Sequence, residues 1–457
     1  MLKLTKNQIH LWTNTENNFS DYNPIVHRIV TDSRQVKKDD CYIAIKGEKF
    51  DGNDFINQAI DKGATLVLSS RKSDLQEVIS VEDTILALGN IAKNYLKQFD
   101  LKKIGVTGSS GKTTTKDMLY YVFNEHFNTH RTDGNFNNEI GLPLTALSID
   151  STYQAAIFEM GMSALGEIDY LAEIVRPNIA IITNIGSCHI EILKSRENIF
   201  KAKMEISNYL SKNDFLIVNA DDTFLGSLSD GDYKFNLIKY GFSEDSDLRA
   251  SDYKVVNEQS EFIVSGLGIK RKFILPSVGI HNVGNALSAI AAGLIYKIPL
   301  EEIKLGLMKF QPSKLRMQII EKNQIKYIND SYNANPESMQ AVINSFESYA
   351  SGRKIAILGD MLELGEFSQE AHKNIGQVAN EKFDIVFFIG EQMKFAYDNF
   401  KYSRNNDKIK YHFIDNNIAI REIKRIIKYG DTVLLKGSRG MELDQIFYAL
   451  TDDNMEV

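Results

Sequence analysis

The chain has 457 residues, 43% hydrophobic and 25% charged, with a formal net charge of −7, which is the profile of a soluble protein of about two to four domains. An acidic balance argues against gripping a nucleic-acid backbone, which takes a basic surface, but it leaves room for an anionic small substrate held by a local cluster of cations. Cys41 and Cys188, the two cysteines, lie far apart, so neither a disulfide framework nor a zinc knuckle is expected.

The first residues, Met1 to Lys6, carry no apolar leader. No window reaches the ~18 continuous apolar residues of a membrane span. A cytoplasmic chain with no membrane span is therefore expected, with a monomer as the default. Up to about residue 98, short strands alternate with helices. Cys41 to Ile45 and Ala64 to Leu68 read as strands, with turns at Gly47 and Asp51-Gly52. From residue 99 the rhythm changes. Ile104 to Thr107 is an apolar strand entering a Gly/Ser turn, and Met118, Leu119, Val122 and Phe123 mark one apolar face of the helix beyond it. Ala155 to Phe158, Ile179 to Ile182 and Phe215 to Val218 are continuous apolar runs, as in a parallel sheet covered on both faces. An apolar helix from Asn285 to Tyr296 closes this region, with Pro299 and Pro312 at its exit. Ile355 to Leu358, Ile385 to Ile389 and Thr432 to Leu435 then repeat the strand–helix pattern. The expected fold is α/β in three domains. A small N-terminal α/β domain spans 1–98. A central phosphate-loop ATPase-like domain with a mainly parallel sheet spans 99–312, and a Rossmann-like domain spans 313–457.

Gly108-Ser109-Ser110-Gly111-Lys112-Thr113-Thr114 follows a strand and opens a helix, the setting a phosphate loop needs. Small residues let backbone N–H groups close round phosphate oxygens at a helix N-terminus. Lys112 would neutralise the β- and γ-phosphates, and Thr113 would place a hydroxyl on Mg²⁺. The longer G-x-x-x-x-G-K-[ST] pattern is not met, because Val106 stands five before Gly111. A plain Gly-rich turn at a helix start is the competing reading. Glu159 ends a buried strand, where ligands bind in open α/β sheets; it is either a second Mg²⁺ ligand or a turn glutamate. His189 follows the next strand end, and a lone histidine is more often structural. By composition, Lys201 and Lys203 are solvated helix lysines.

These segments resemble the Mur ligases. The phosphate loop, Glu159-Met-Gly161, Thr183-Asn184-Ile185-Gly186 through His189, Ile280-His281-Asn282-Val283-Gly284-Asn285, Pro312 through Arg316 and Asn329-Asp330-Ser331-Tyr332-Asn333 stand in that family's order. Thr31-Asp-Ser-Arg34, Asn135-Phe-Asn-Asn138, Asp330-Ser-Tyr-Asn-Ala-Asn-Pro336, Leu358-Gly-Asp-Met-Leu-Glu-Leu-Gly365 and Lys436-Gly-Ser-Arg-Gly-Met441 resemble the member that adds D-alanyl-D-alanine. The Asp-Asn-Pro-Arg signature of the preceding ligase is absent.

The resemblance implies ATP-dependent joining of D-alanyl-D-alanine to UDP-N-acetylmuramoyl-tripeptide through an acyl phosphate, a step in peptidoglycan precursor synthesis. It implies ATP and two Mg²⁺ ions as cofactors, and a carbamylated Lys203, fourteen residues after His189. Thr113, Glu159, His189 and Lys203 become the metal set. Lys112, Lys203, His189, Glu159 and Arg316 become the catalytic set. Nucleotide contacts fall to the loop Gly108 to Thr114 and to Asn282, Asn285, Arg316, Asp330, Tyr332 and Asn333. Ser33, Arg34, Lys46 and Gly47 are the implied uridine-nucleotide anchor. Asn135, Asn137 and Asn138 lie near the peptide channel, with Lys436, Ser438 and Arg439 near the dipeptide. Three rival readings are another Mur-type ligase, an NTP-driven switch or kinase built on the loop, and a nucleotide-binding regulator without chemistry. Intact Lys112, Glu159, His189 and Lys203 argue against the last.

Overall fold

The computed structural model describes residues 2–15, 21–401 and 408–452; Met1, part of the leader reading, lies outside them. Continuous apolar runs become buried strands because both sheet faces are covered. Ile179–Ile182 and Ala155–Glu159 are buried at every position. Each such side chain removed from water contributes about 1.5–3 kcal/mol.

Nine strands form the largest sheet, in the order Ile269–Leu275, Gln259–Gly266, Leu248–Val256, Asn236–Gly241, Phe215–Asn219, Ile179–Ile182, Lys102–Thr107, Ala155–Glu159 and Thr129–Arg131. Pairing is parallel from Leu248–Val256 to Thr129–Arg131 and antiparallel across the two strands beyond. The antiparallel extension was not read from the sequence. One face of the sheet is covered by the helices Lys112–Asn124, Ile280–Ile295 and Leu300–Met308, which pack on one another. Their core includes Ile104, Val106, Met118, Val122, Ile157, Ile181, Val283 and Ile290. The helix expected from Asn285 begins earlier, at Ile280, and ends at Ile295.

The N-terminal domain carries four parallel strands, Arg28–Val30, Asp40–Ile43, Ala64–Ser69 and Val78–Ser80. Its last helix, Thr84–Leu96, packs on Gly141–Leu147 and Glu167–Val175 of the central domain. The C-terminal sheet runs Gln318–Lys322, Ile325–Asn329, Thr432–Lys436, Lys354–Gly359, Ile385–Ile389, Ile409–Phe413. All its pairs are parallel except the first, a hairpin. Residues 309–317 join the central and C-terminal domains, with Leu315 and Met317 at positive φ. The Ser313 hydroxyl anchors this connection by donating to Asp117. Among the described residues, no helix is long and apolar enough to cross a membrane.

Candidate active site

In the central sheet, Lys102–Thr107 lies between Ala155–Glu159 and Ile179–Ile182. All three run the same way, so their carboxyl ends deliver the Gly108 loop, Glu159 and the Thr183–His189 loop to one place. A cavity of about 1010 Å³ opens there, between the central and C-terminal domains. Ligands bind at such strand ends in open α/β sheets.

The phosphate loop is pinned by the neighbouring strand end. Ser109 N–H donates to the Asn184 carbonyl at 3.1 Å, Ser110 N–H to Asn184 Oδ1 at 2.9 Å, and Gly186 N–H to Ser109 Oγ at 2.9 Å. Gly108, at φ 152°, has no room for a side chain: a Cβ there would lie 1.8 Å from Thr183 Oγ1. Gly111, at φ 81°, starts the helix Lys112–Asn124, so the helix's first N–H groups face the cavity. Lys112 Nζ donates to the Gly108 carbonyl at 2.7 Å.

Glu159 is 2% exposed and fully placed. Its Oε2 accepts from Thr113 Oγ1 at 2.9 Å and its Oε1 from Asn137 Nδ2 at 2.8 Å; its N–H donates to Thr132 Oγ1 at 3.0 Å. A hydroxyl and a carboxylate side by side at a phosphate-binding helix end suit a hard divalent cation whose other ligands are phosphate oxygens and water. Among the described residues no group of three or more His, Cys, Asp and Glu side chains converges into a ready-made metal cluster.

Across the cavity stand Cys188 and His189. The His189 ring meets Glu363 of the C-terminal domain, Nδ1 to Oε2 at 2.6 Å. Hydrogen bonds to Cys188 and then Glu363 push His189 up to about 9. Burial alone would raise Cys188, but the bond and charge of His189, with Lys112 and Lys203 nearby, bring it down to about 7.

Lys203 corrects the reading from composition. Lys201 is exposed, as a solvated helix lysine should be, but Lys203 on the helix Arg196–Met204 is 2% exposed. It makes no hydrogen bond or carboxylate ion pair among the described residues. Burial, and then the charge of Lys112, push it down to about 7. An amine held near neutrality with no carboxylate partner suits carbamylation, because only the neutral amine attacks CO₂ and the product carries a carboxylate-like negative charge.

The other candidates divide by location. Asn282, Asn285, Arg316, Asp330, Tyr332, Asn333, Asn135, Asn137 and Asn138 all line the cavity, as do Ser109 to Thr114. Asn282 Nδ2 is engaged by Ser277 Oγ and the Val278 carbonyl, both at 2.9 Å. Arg316 lies over the Tyr332 ring, 4.1 Å from its centroid. Lys436 also lines the cavity, but it ion-pairs with Asp330 at 2.5 Å, beside the residue implied for the ribose. Ser438 and Arg439 do not line the cavity. Ser438 Oγ accepts from Leu362 N–H at 2.9 Å, and Arg439 pairs with Asp444. Ser33, Arg34, Lys46 and Gly47 sit in the N-terminal domain, outside the cavity lining. Arg34 pairs with Asp32 there, and Ser33 Oγ donates to Gln58. The sequence reading missed Thr132, Lys116, Glu337 and Glu363. Glu363 lies inside a motif singled out for other residues, and Glu337 directly follows another. Thr132 and Lys116 carry no pattern.

The sequence matches the Mur ligase middle domain over residues 106–293, the Mur ligase glutamate ligase domain over 315–439 and the Mur ligase family catalytic domain over 25–98. It is 39% identical to the UDP-N-acetylmuramoyl-tripeptide--D-alanyl-D-alanine ligase of Bacillus subtilis, covering 92% of each chain. It is 32% identical to the Escherichia coli enzyme of the same name, over 93% of this chain and 94% of that one. The fold resembles MurF from Acinetobacter baumannii, with a TM-score of 0.90 and 30% identity over 98% of each chain. It also resembles Thermotoga maritima MurF ligase in complex with ADP, with a TM-score of 0.84 and 28% identity over 93% of this chain and 97% of that one.

Proposed function

This chain belongs to the Mur ligase family, and we propose from that premise that it is the ATP-dependent amide ligase that joins D-alanyl-D-alanine to UDP-N-acetylmuramoyl-tripeptide. The observation that carries the proposal is the convergence, at three adjacent parallel strand ends, of the phosphate loop, Glu159 and the His189 loop on one cavity bordered by the C-terminal domain.

The tripeptide's terminal carboxylate attacks the γ-phosphorus of ATP, and ADP leaves. The acyl phosphate that results is attacked by the dipeptide amine. A tetrahedral intermediate collapses, the C–O bond to phosphate breaks, and the amine proton is lost to give the amide of the pentapeptide. Thr113 and Glu159 would hold one magnesium ion; His189 and carbamylated Lys203 would hold a second. These four residues would thereby bring cationic charge that offsets the repulsion between a carboxylate and a polyphosphate. Lys112 and the helix N-terminus stabilise the phosphate charge, and Arg316, held over Tyr332, adds a cation from the inter-domain side. Asn282 and Asn285 border the adenine side, and Asp330, steadied by Lys436, the ribose. Ser33, Arg34, Lys46 and Gly47 anchor the uridine nucleotide on the N-terminal domain, with Asn135, Asn137 and Asn138 along the peptide between. Ser438 and Arg439 act at the dipeptide end. Closure of the C-terminal domain excludes water from an acyl phosphate that water would hydrolyse. We assign the protein to the cytoplasm as a monomer, with units 1–98, 99–312 and 313–457.

Phosphate release from ATP with Mg²⁺ and UDP-N-acetylmuramoyl-tripeptide, with and without D-alanyl-D-alanine, tests the proposal. Release should require both substrates and give a pentapeptide by mass. Release without the dipeptide would favour an NTP switch. Release only with a single amino acid would favour another ligase of the family.

A further inference from the structure

We infer that Glu363 of the C-terminal domain is a positioning residue for the metal loop of the central domain, holding the His189 ring so that Nε2 is the nitrogen presented to a divalent cation. The inference rests on the reading of His189 as a metal ligand in the proposed function. Glu363 Oε2 lies 2.6 Å from His189 Nδ1. With Nδ1–H donated to the carboxylate, Nε2 is the ring nitrogen left for a cation. The two residues belong to different domains, so the orientation is lost whenever the domains part.

Three further observations point the same way. First, both partners hold left-handed backbone, His189 at φ 60° and Glu363 at φ 63°. Non-glycine residues keep that conformation mainly where the surroundings over-determine it, as at ligand clamps and switches. Second, the Glu363 side chain is 58% exposed. An ion pair so open to water adds little to folding stability, so its geometry matters more than its strength. Third, the same domain grips the same loop again. Ser187 N–H and Oγ both donate to the Glu337 carboxylate at 3.0 Å, and Glu191 N–H reaches the Glu363 carbonyl at 3.4 Å. The loop carrying His189 is thus shaped by the C-terminal domain at both ends.

The test uses the full-length protein with Mn²⁺ as the probe and a non-hydrolysable ATP analogue, with bound Mn²⁺ counted by electron paramagnetic resonance. Glu363→Ala should weaken one Mn²⁺ by about 10–100-fold, the usual cost of losing a ligand's orienting partner, and His189→Ala, which removes the ligand itself, should weaken it at least as much. Glu363→Gln should retain most of the affinity, because its amide oxygen accepts the same Nδ1–H bond. Glu366→Gln, an exposed neighbour on the same turn, should match wild type. Combining Glu363→Ala with His189→Ala should add nothing to His189→Ala alone. If His189→Ala weakens Mn²⁺ but Glu363→Ala does not, the positioning role falls and the metal role of His189 stands. If Glu363→Ala tightens Mn²⁺, the carboxylate competes with the cation and the inference is overturned. A Glu363→Gln variant as weak as Glu363→Ala would assign the effect to charge and overturn it as well. If neither substitution weakens binding, the metal role of His189 fails and the inference falls with it.

Discussion

Two lysines of the central domain are equally buried and differently surrounded. Lys116, on the phosphate-loop helix, and Lys203, on the helix Arg196–Met204, are each 2% exposed. Lys116 sits 3.5 Å from Asp117 Oδ1 and 3.9 Å from Glu159 Oε2, and Asp117 is shared with Arg131 at 3.0 Å. Among the described residues Lys203 has no carboxylate partner; after burial, the charge of Lys112 pushes it down further and only the Cys188 thiol opposes this. A buried charge is costly unless it is paired. Lys116 meets that rule and Lys203 breaks it, inside one domain. Depth of burial therefore does not distinguish a lysine held in a charge cluster from one without a carboxylate; the balance of neighbouring charge does.

The largest effect should come from Lys203. Lys203→Ala should lower kcat by on the order of 10³-fold, as for loss of an aimed electrostatic group, with partial rescue by a small added carboxylic acid. Lys203→Met should be as inactive, yet melt at the same temperature as wild type or higher, because an unpaired buried charge is gone. Full activity in either variant would end the carbamate reading and, with it, the contrast.

Lys116→Met should do the opposite. Removing one member of a buried charge cluster leaves Asp117 and Glu159 less compensated and should cost about 3 kcal/mol. A lower urea midpoint with unchanged slope would report it. Residual turnover should exceed that of the Lys203 variants. A Lys116→Met protein as stable as wild type would mean that Arg131 alone balances Asp117, and the two lysines would differ less than their surroundings suggest.

What the sequence could reveal follows from the same physics. Ile179 to Ile182 and Ile385 to Ile389 were legible as strands because full burial leaves a continuous apolar run. The phosphate loop was legible because strand, small residues and Lys-Thr stand in fixed order. The strand Leu248–Val256 was not: only its first few residues reach the core, and the register breaks between Ser251 and Lys254. Lys203 was marked by resemblance alone. Its own helix is polar, and its burial comes from tertiary packing that no local period records. Glu337 and Glu363 act across the domain boundary, so their partners depend on how two domains dock. Lys436 shows the limit of motif reading: its string was recognisable, but its ion pair with Asp330 places it beside the nucleotide residues.

A smaller effect is the pH dependence of stability. Lys203 in the folded protein is pushed down to about 7 from an ordinary value of 10.5. Between these values the unfolded chain holds a proton that the folded chain does not, so stability rises with pH. The burial penalty is full below about 7 and relieved as pH climbs toward 10.5. In metal-free, CO₂-depleted buffer, wild type should therefore gain on Lys203→Met between pH 7 and pH 9, measured by urea unfolding. Parallel pH profiles would place the Lys203 amine at its ordinary value.

The smallest effect asks whether the contrast belongs to the central domain or is imposed by closure. Glu337 lies at the surface and binds Ser187, near the base of the loop that leads to His189. Exposed charged contacts are worth about 0–1 kcal/mol, so Glu337→Gln should raise KM by less than about five-fold and leave the melting temperature unchanged. The charges that act on Lys203, those of Lys112 and Cys188, both lie in the central domain. The carbamate carbon signal with ¹³C-bicarbonate should therefore keep its wild-type intensity in Glu337→Gln. Loss of that signal would mean that the C-terminal domain, by gripping residues 186–189, creates the site in which Lys203 reacts. The difference between the two lysines would then be a property of the closed molecule, not of the central sheet.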